Sequence, residues 1–176
     1  MTDYYIKTEN LSSFADKLTV GDKVYLTGEI FTARDAAHQR LCKLIEENKP
    51  LPFDIDGAVI YFAGPSPSKD DGTIGSFGPT TSSRMDAFSP VLLELGLIGM
   101  IGKGDRSREV INAIVRNKAV YFCAGGGFGA LISQSIEKVE EIAFPELGCE
   151  SIKRLTVRNM PLTVGVDSSG NSIFNR

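Results

Sequence analysis

A chain of 176 residues with 42% hydrophobic and 23% charged side chains has the length and composition of one ordinary globular domain, and we read residues 1–176 as one unit with no visible boundary. A net charge of −3 gives no general attraction to nucleic acid or to an anionic membrane surface. No apolar run is long enough to cross a bilayer, and Met1-Thr2-Asp3-Tyr4-Tyr5 lacks the basic-then-apolar order of a secretory signal, so a cytoplasmic protein is expected.

Val24–Ile30 is rich in strand formers and follows Gly21-Asp22-Lys23. Thr32-Ala33-Arg34-Asp35 then has the form of a capping box, which predicts a helix to about Asn48 with Ala37, Leu41, Leu44 and Ile45 on one face. Pro50 and Pro52 stop it. Ala58–Ala63 reads as a buried strand, and residues 64–80 as a long loop of the kind that is functional or disordered. Met85–Leu95 reads as a helix closed by Gly96, with Ser83 and Asp86 as a second capping box, and Leu97–Ile101 as a strand. A helix over Ser107–Asn117, a strand over Ala119–Cys123 and a helix reaching about Val139 follow. Ile152–Val157 and Leu162–Val166 read as two strands before the turn Asp167-Ser168-Ser169-Gly170-Asn171. Strands and helices alternate and the ends are β-rich, so the fold class is α/β in layers.

Four places carry candidate chemistry. Gly125-Gly126-Gly127-Phe128-Gly129-Ala130 fits a glycine-rich phosphate turn between a strand and a helix. It lies late in the chain, and no complete βαβ unit with an acid ending its second strand follows, so a tight structural turn is preferred. Arg34 and His38 share one helical face at the start of their helix, where the helix dipole already favours an anion. A bound carboxylate would relieve the uncomfortable cation; otherwise Arg34 pairs with a nearby acid and His38 is a surface or core residue. Gly78-Pro79-Thr80-Thr81-Ser82-Ser83-Arg84-Met85-Asp86 places another arginine after a hydroxyl-rich approach. Gly102-Lys103-Gly104 places a lysine at a strand end, where open α/β sheets bind ligands. Three cations at strand-to-helix transitions of an acidic chain suit a small dicarboxylate. Cys42, Cys123 and Cys149 form no C-x-x-C pair and read as reduced thiols, not as the ligands of a metal held by this chain.

Five stretches together resemble the β subunit of the class I (iron–sulfur) fumarase and tartrate dehydratase family, and the C-terminal domain of its single-chain members. They are Gly21–Gly28, Ala33–His38, Gly78–Asp86, Gly102-Lys103-Gly104 and Glu146-Leu147-Gly148. The resemblance implies a swivelling β/β/α layered fold with a mixed sheet. It also implies a hydro-lyase whose [4Fe–4S] cluster is held by a partner α subunit, with none bound by this chain, in a heterotetramer or larger assembly. By the family pattern Arg34, Asp35, Arg84 and Lys103 match substrate-binding positions, Thr80 the proton acceptor and His38 a catalytic-site residue. Ala33 stands where the tartrate form tends to carry a cysteine, so reversible hydration of fumarate to (S)-malate is expected, with tartrate or a mesaconate-type dicarboxylate as the alternative. A nucleotide-binding or regulatory module using the Gly125–Ala130 turn is the alternative of another class.

Overall fold

The computed structural model describes residues 2–65, 76–124 and 129–175. Nine strands and five α-helices are described: β1 Asp3–Lys7, α1 Leu11–Phe14, β2 Lys23–Thr32, α2 Asp35–Glu46, β3 Val59–Tyr61, β4 Ala63–Pro65, β5 Phe77–Pro79, α3 Ser89–Glu94, β6 Gly99–Gly102, α4 Arg108–Asn117, β7 Val120–Cys123, α5 Gly129–Ser135, β8 Ile136–Ala143 and β9 Ile152–Val166. No helix among the described residues is long and apolar enough to cross a membrane.

The main sheet is mixed, in the order β1-β2-β3-β6-β7-β9-β8, and β9 also pairs antiparallel with β2. That second pairing closes β2, β3, β6, β7 and β9 into a ring. β2, β3, β6 and β7 run parallel, so their carboxyl ends share one rim. The expected layered α/β class with a mixed sheet is what forms.

Apolar residues fill both faces of the ring wall. Val59 and Tyr61 point into an inner core with Leu26, Ile30, Ile101, Phe122, Leu155 and Val164. Ile60 and Phe62 face an outer core with Ala37, Leu41, Met100, Ile114 and Tyr121 beneath the helices. Burial on both faces explains the continuous apolar run Val59-Ile60-Tyr61-Phe62, which a half-exposed strand would interrupt with polar residues.

Several expectations are corrected. The Met85–Leu95 helix is two pieces, a 3-10 turn at Ser82–Met85 and α3, whose first turn holds Pro90. The helix expected to reach Val139 ends at Ser135, where β8 begins against β9. Ile152–Val157 and Leu162–Val166 are parts of one 15-residue strand. The long loop contains a hairpin, with β4 paired to β5; its remaining residues, 66–75, lie outside the described ones. The Asp167–Asn171 turn forms as expected, with Asp167 accepting from the Ser169 and Asn171 amides.

Candidate active site

Three crossovers from the common rim carry the cationic residues. β2 ends at Thr32 and leads directly to Arg34, the N-cap of α2. The β4–β5 hairpin leads to Thr80 and to Arg84 in the 3-10 turn. β6 ends at Gly102, one residue before Lys103. Backbone bonds stitch these together: Thr80 N–H donates to the Phe62 carbonyl (2.8 Å), and Ser82 N–H to the Lys103 carbonyl (2.9 Å). Thr81 and Lys103 form an isolated parallel bridge. On the other side Arg84 pairs with Asp35, Nη2 to Oδ2 at 3.0 Å. The candidate residues are thus linked in the order Arg34, Asp35, Arg84, Thr81, Lys103 along one rim.

Their surroundings differ. Arg34 is half-buried, and its Nε is buried with no hydrogen-bond partner among the described residues. Gly64 lies against it, 3.3 Å from Arg34 Cδ to where a Cβ would stand, and that Cβ would also press on the Cys149 carbonyl. Lys103 is exposed and makes no ion pair among the described residues. Asp35 is the counter-ion of Arg84, and its second oxygen is buried without a partner among the described residues.

His38 lies beneath the rim, not on it. The ring is fully buried, edge-on to Phe62 at 5.3 Å, with Nδ1 2.9 Å from the Arg34 carbonyl and Nε2 without a partner among the described residues. Of the surface and core positions open to it, the fold gives the core one. Burial drives its pKa down to about 4, opposed by the Arg34 carbonyl and helped by the Arg106 charge, so the imidazole is neutral at physiological pH. A Nδ1–H tautomer donating to Arg34 orients the peptide that leads into the Arg34 side chain's helix.

Both expected capping boxes are replaced by longer-range partners. Thr32 is buried in β2, where its hydroxyl accepts from Lys153 N–H, and neither α2 nor the 3-10 turn has a side-chain cap from its own N-cap residue. The first turn of α2 is instead met by Glu150, whose Oε1 accepts from Ala36 N–H. Asp86 does not cap its own turn. It accepts from Arg106 Nε (2.8 Å) with one oxygen and from Ser107 N–H (2.8 Å) with the other.

Under the rim runs a polar network that motif reading missed. Arg106 is buried, lying over the rings of Tyr121 (4.8 Å) and Phe62 (5.2 Å), with Nη2 donating to Ser89 Oγ at 2.8 Å. The Tyr121 hydroxyl donates to the Gly104 carbonyl (2.8 Å) and accepts from Ser82 Oγ–H (2.7 Å). Burial raises the pKa of that phenol well above its ordinary value, so it stays protonated. Gly102 is required beneath it, since a Cβ there would collide with the Ser82 hydroxyl. Asp105-Arg106 followed by the Ser107 cap was the available signal for Arg106; Tyr121 in an apolar strand gave none.

Sequence comparison supplies what geometry alone does not. The chain matches the family described as fumarase C-terminus over residues 4–176, nearly its whole length. The chain belongs to the fumarase C-terminus family. It is 41% identical over 164 residues to a putative L(+)-tartrate dehydratase subunit beta of Methanocaldococcus jannaschii, covering 90% of this chain and 84% of that one. It is 36% identical over 174 residues to the L(+)-tartrate dehydratase subunit beta of Escherichia coli, covering 96% and 83%. It is also 38% identical over 159 residues to the anaerobic class I fumarate hydratase of E. coli, covering 89% of this chain but only 29% of that protein. Members of the fumarase C-terminus family therefore occur both as separate beta subunits, a name that implies a second kind of subunit, and within longer hydratase chains.

Cys42 and Cys123 are half-buried with pKa values raised by burial, Cys149 is exposed, and no three His, Cys, Asp or Glu side chains among the described residues gather as metal ligands. Gly125–Phe128, the heart of the proposed phosphate turn, lie outside the described residues. A cleft of about 420 Å³ lined by Lys7, Glu9, Glu29, Asp54 and Asp56 opens by the amino end of β3, away from the rim, and its acids disfavour a dicarboxylate.

Proposed function

We propose that this chain is the β subunit of an iron–sulfur hydro-lyase, and that it grips the carboxylates during reversible hydration of fumarate to (S)-malate. The observation that carries the reading is Arg34: a half-buried guanidinium whose Nε lacks a partner among the described residues, at the start of α2, linked through Asp35 and Arg84 to the rim that bears Lys103. A planar carboxylate supplies the missing acceptor in bidentate form. The relatives support the reaction class, since a fumarate hydratase adds water across a dicarboxylate and a tartrate dehydratase removes it.

Removing water from malate takes a proton from the carbon beside one carboxylate and expels hydroxide from the next carbon. Cations on the carboxylate stabilise the negative charge that develops as the proton leaves. In this chain those cations are Arg34, Arg84 and Lys103. The Thr80 side chain is half-buried beside Thr81, which bridges to Lys103, and is assigned as the group that accepts the proton at Oγ1. A neutral threonine hydroxyl is a weak base, so this role requires the neighbouring cations to favour its alkoxide. Departure of hydroxide calls for a Lewis acid, the contribution expected of a [4Fe–4S] cluster in the α subunit. His38 acts from below, through the Arg34 carbonyl, and not by touching substrate.

Tartrate is the second reading, favoured by the 41% identity and matching length of the M. jannaschii beta subunit. Ala33 is what tips the assignment to fumarate. Anaerobic coexpression with the α partner and iron, followed by assay on fumarate, malate, tartrate and mesaconate, separates them. A cluster-loaded complex inert on all four ends the proposal. Within an active complex Thr80→Ala should abolish nearly all turnover with substrate binding retained; near-normal turnover would remove Thr80 as the base.

A further inference from the structure

Resting on that reading, we propose that Tyr121 is a positioning residue, whose hydroxyl fixes the spacing between Lys103 and the Thr80–Arg84 segment. Its ring needs no hydroxyl to pack. Phe62 contacts the same Arg106 guanidinium, and Phe122, its neighbour in β7, is as fully buried. A phenol oxygen with no exposure costs stability unless bonded, so its presence calls for a reason in its partners.

Those partners are the two lips of the rim. The Tyr121 proton goes to the Gly104 carbonyl, which leaves Ser82 Oγ–H as the donor to the Tyr121 oxygen. Ser82 is fully buried, and its own N–H holds the Lys103 carbonyl. The consecutive carbonyls of Lys103 and Gly104 are therefore both anchored, and both anchors converge on Ser82. Gly104 has φ +86°, a region in which glycine moves freely, so the link between Lys103 and the rest of the crossover owes its definition to that carbonyl bond. Two residues beyond Ser82 stands Arg84, and the far end of the same segment is held by Asp86 on Arg106 and Ser107. With the Asp86 end fixed, the Tyr121 hydroxyl governs how far Thr80 and Arg84 stand from the Lys103 ammonium. Misplacement of catalytic groups by about 1 Å costs on the order of a hundredfold in rate.

The test is Tyr121→Phe in the coexpressed, cluster-loaded complex, alone and combined with Lys103→Ala. The single variant should assemble, keep its cluster and lose about 10- to 100-fold in kcat/KM. In the Lys103→Ala background the same change should cost less than about threefold, because the contact it positions is already gone. Ser82→Ala, which cuts the other half of the link, should give a loss of the same order and decides the matter alone if Tyr121→Phe fails to assemble. Wild-type-like kcat/KM in an assembled variant, or full additivity with Lys103→Ala, overturns the inference while leaving the hydro-lyase reading intact. An inert wild-type complex overturns that reading first.

Discussion

Two arginines at one rim of the sheet are provided for in opposite ways. Arg106 is buried and its guanidinium is occupied by Asp86, Ser89 and the sulfur of Met100, between two aromatic faces. Arg34 has an inward Nε with no acceptor among the described residues, although one oxygen of the nearby Asp35 is held by Arg84 and the other is unpartnered among them. A satisfied cation is framework. An unsatisfied one keeps part of its bonding capacity for a molecule still to arrive, at the cost of a polar atom left buried. The difference lies in partners and not in residue type, so substitution can separate the two.

The largest effect should come from Arg106→Met. Removing one member of a buried pair strands the Asp86 carboxylate, and we expect a loss of about 3–5 kcal/mol in urea unfolding. A loss under about 1 kcal/mol would mean that Asp86 finds another partner and that Arg106 is not framework. Arg34→Ala should do the reverse. Stability is expected to change by no more than about 1 kcal/mol, while kcat/KM of the assembled complex falls by about 10²–10³, as for removal of one charge-stabilising donor. Arg34→Lys should recover only part of it, since an ammonium cannot form the bidentate pair. If Arg34→Ala unfolds the chain as Arg106→Met does, the contrast is false.

The smallest effect concerns the residue between them. His38 is neutral in the folded chain down to about pH 4, whereas its unfolded value is 6.5. Between those values the unfolded chain binds the additional proton, so stability must fall as pH drops from 6.5 towards 4, by at most about 3 kcal/mol. Above pH 6.5 the contribution is flat. His38→Leu should remove this part of the slope from a series of denaturant titrations at different pH; identical slopes in both proteins would mean that the ring has access to water.

Much of the rim could be read directly, because strand-to-helix transitions mark themselves by apolar runs that stop at glycine or a charged residue. Lys103 after Gly102 and Arg34 after Ala33 are of this kind. Less visible were elements whose state is decided elsewhere in the chain. In β8 the partly buried residues Ile136, Val139, Ile142 and Ala143 are spaced as on a helix, and only pairing with β9 makes them a strand. β1 buries Ile6 alone, too little for a pattern. The capping boxes failed for a related reason: Thr32 was claimed by Lys153, 121 residues away, and the amide of Ala36 by Glu150, 114 residues away. Local motifs name what a side chain can do, and distant partners choose among those options. His38 shows the same, since spacing put it on the face of Arg34 but could not say that Phe62 would cover it.

The double pairing of β9 has a bearing on how the chain is made. β2 lies near the amino end and its antiparallel partner near the carboxyl end, with Lys23 opposite Thr163 and Thr32 opposite Lys153. On the ribosome, β2 must wait for well over a hundred residues to be synthesised before that long edge is covered. Until then it presents unpaired backbone groups to any passing strand. A topology that joins its first third to its last pays its loop-closure entropy early and is repaid late. The strand that leads to Arg34 is therefore completed late, although it is among the first parts of the chain to emerge.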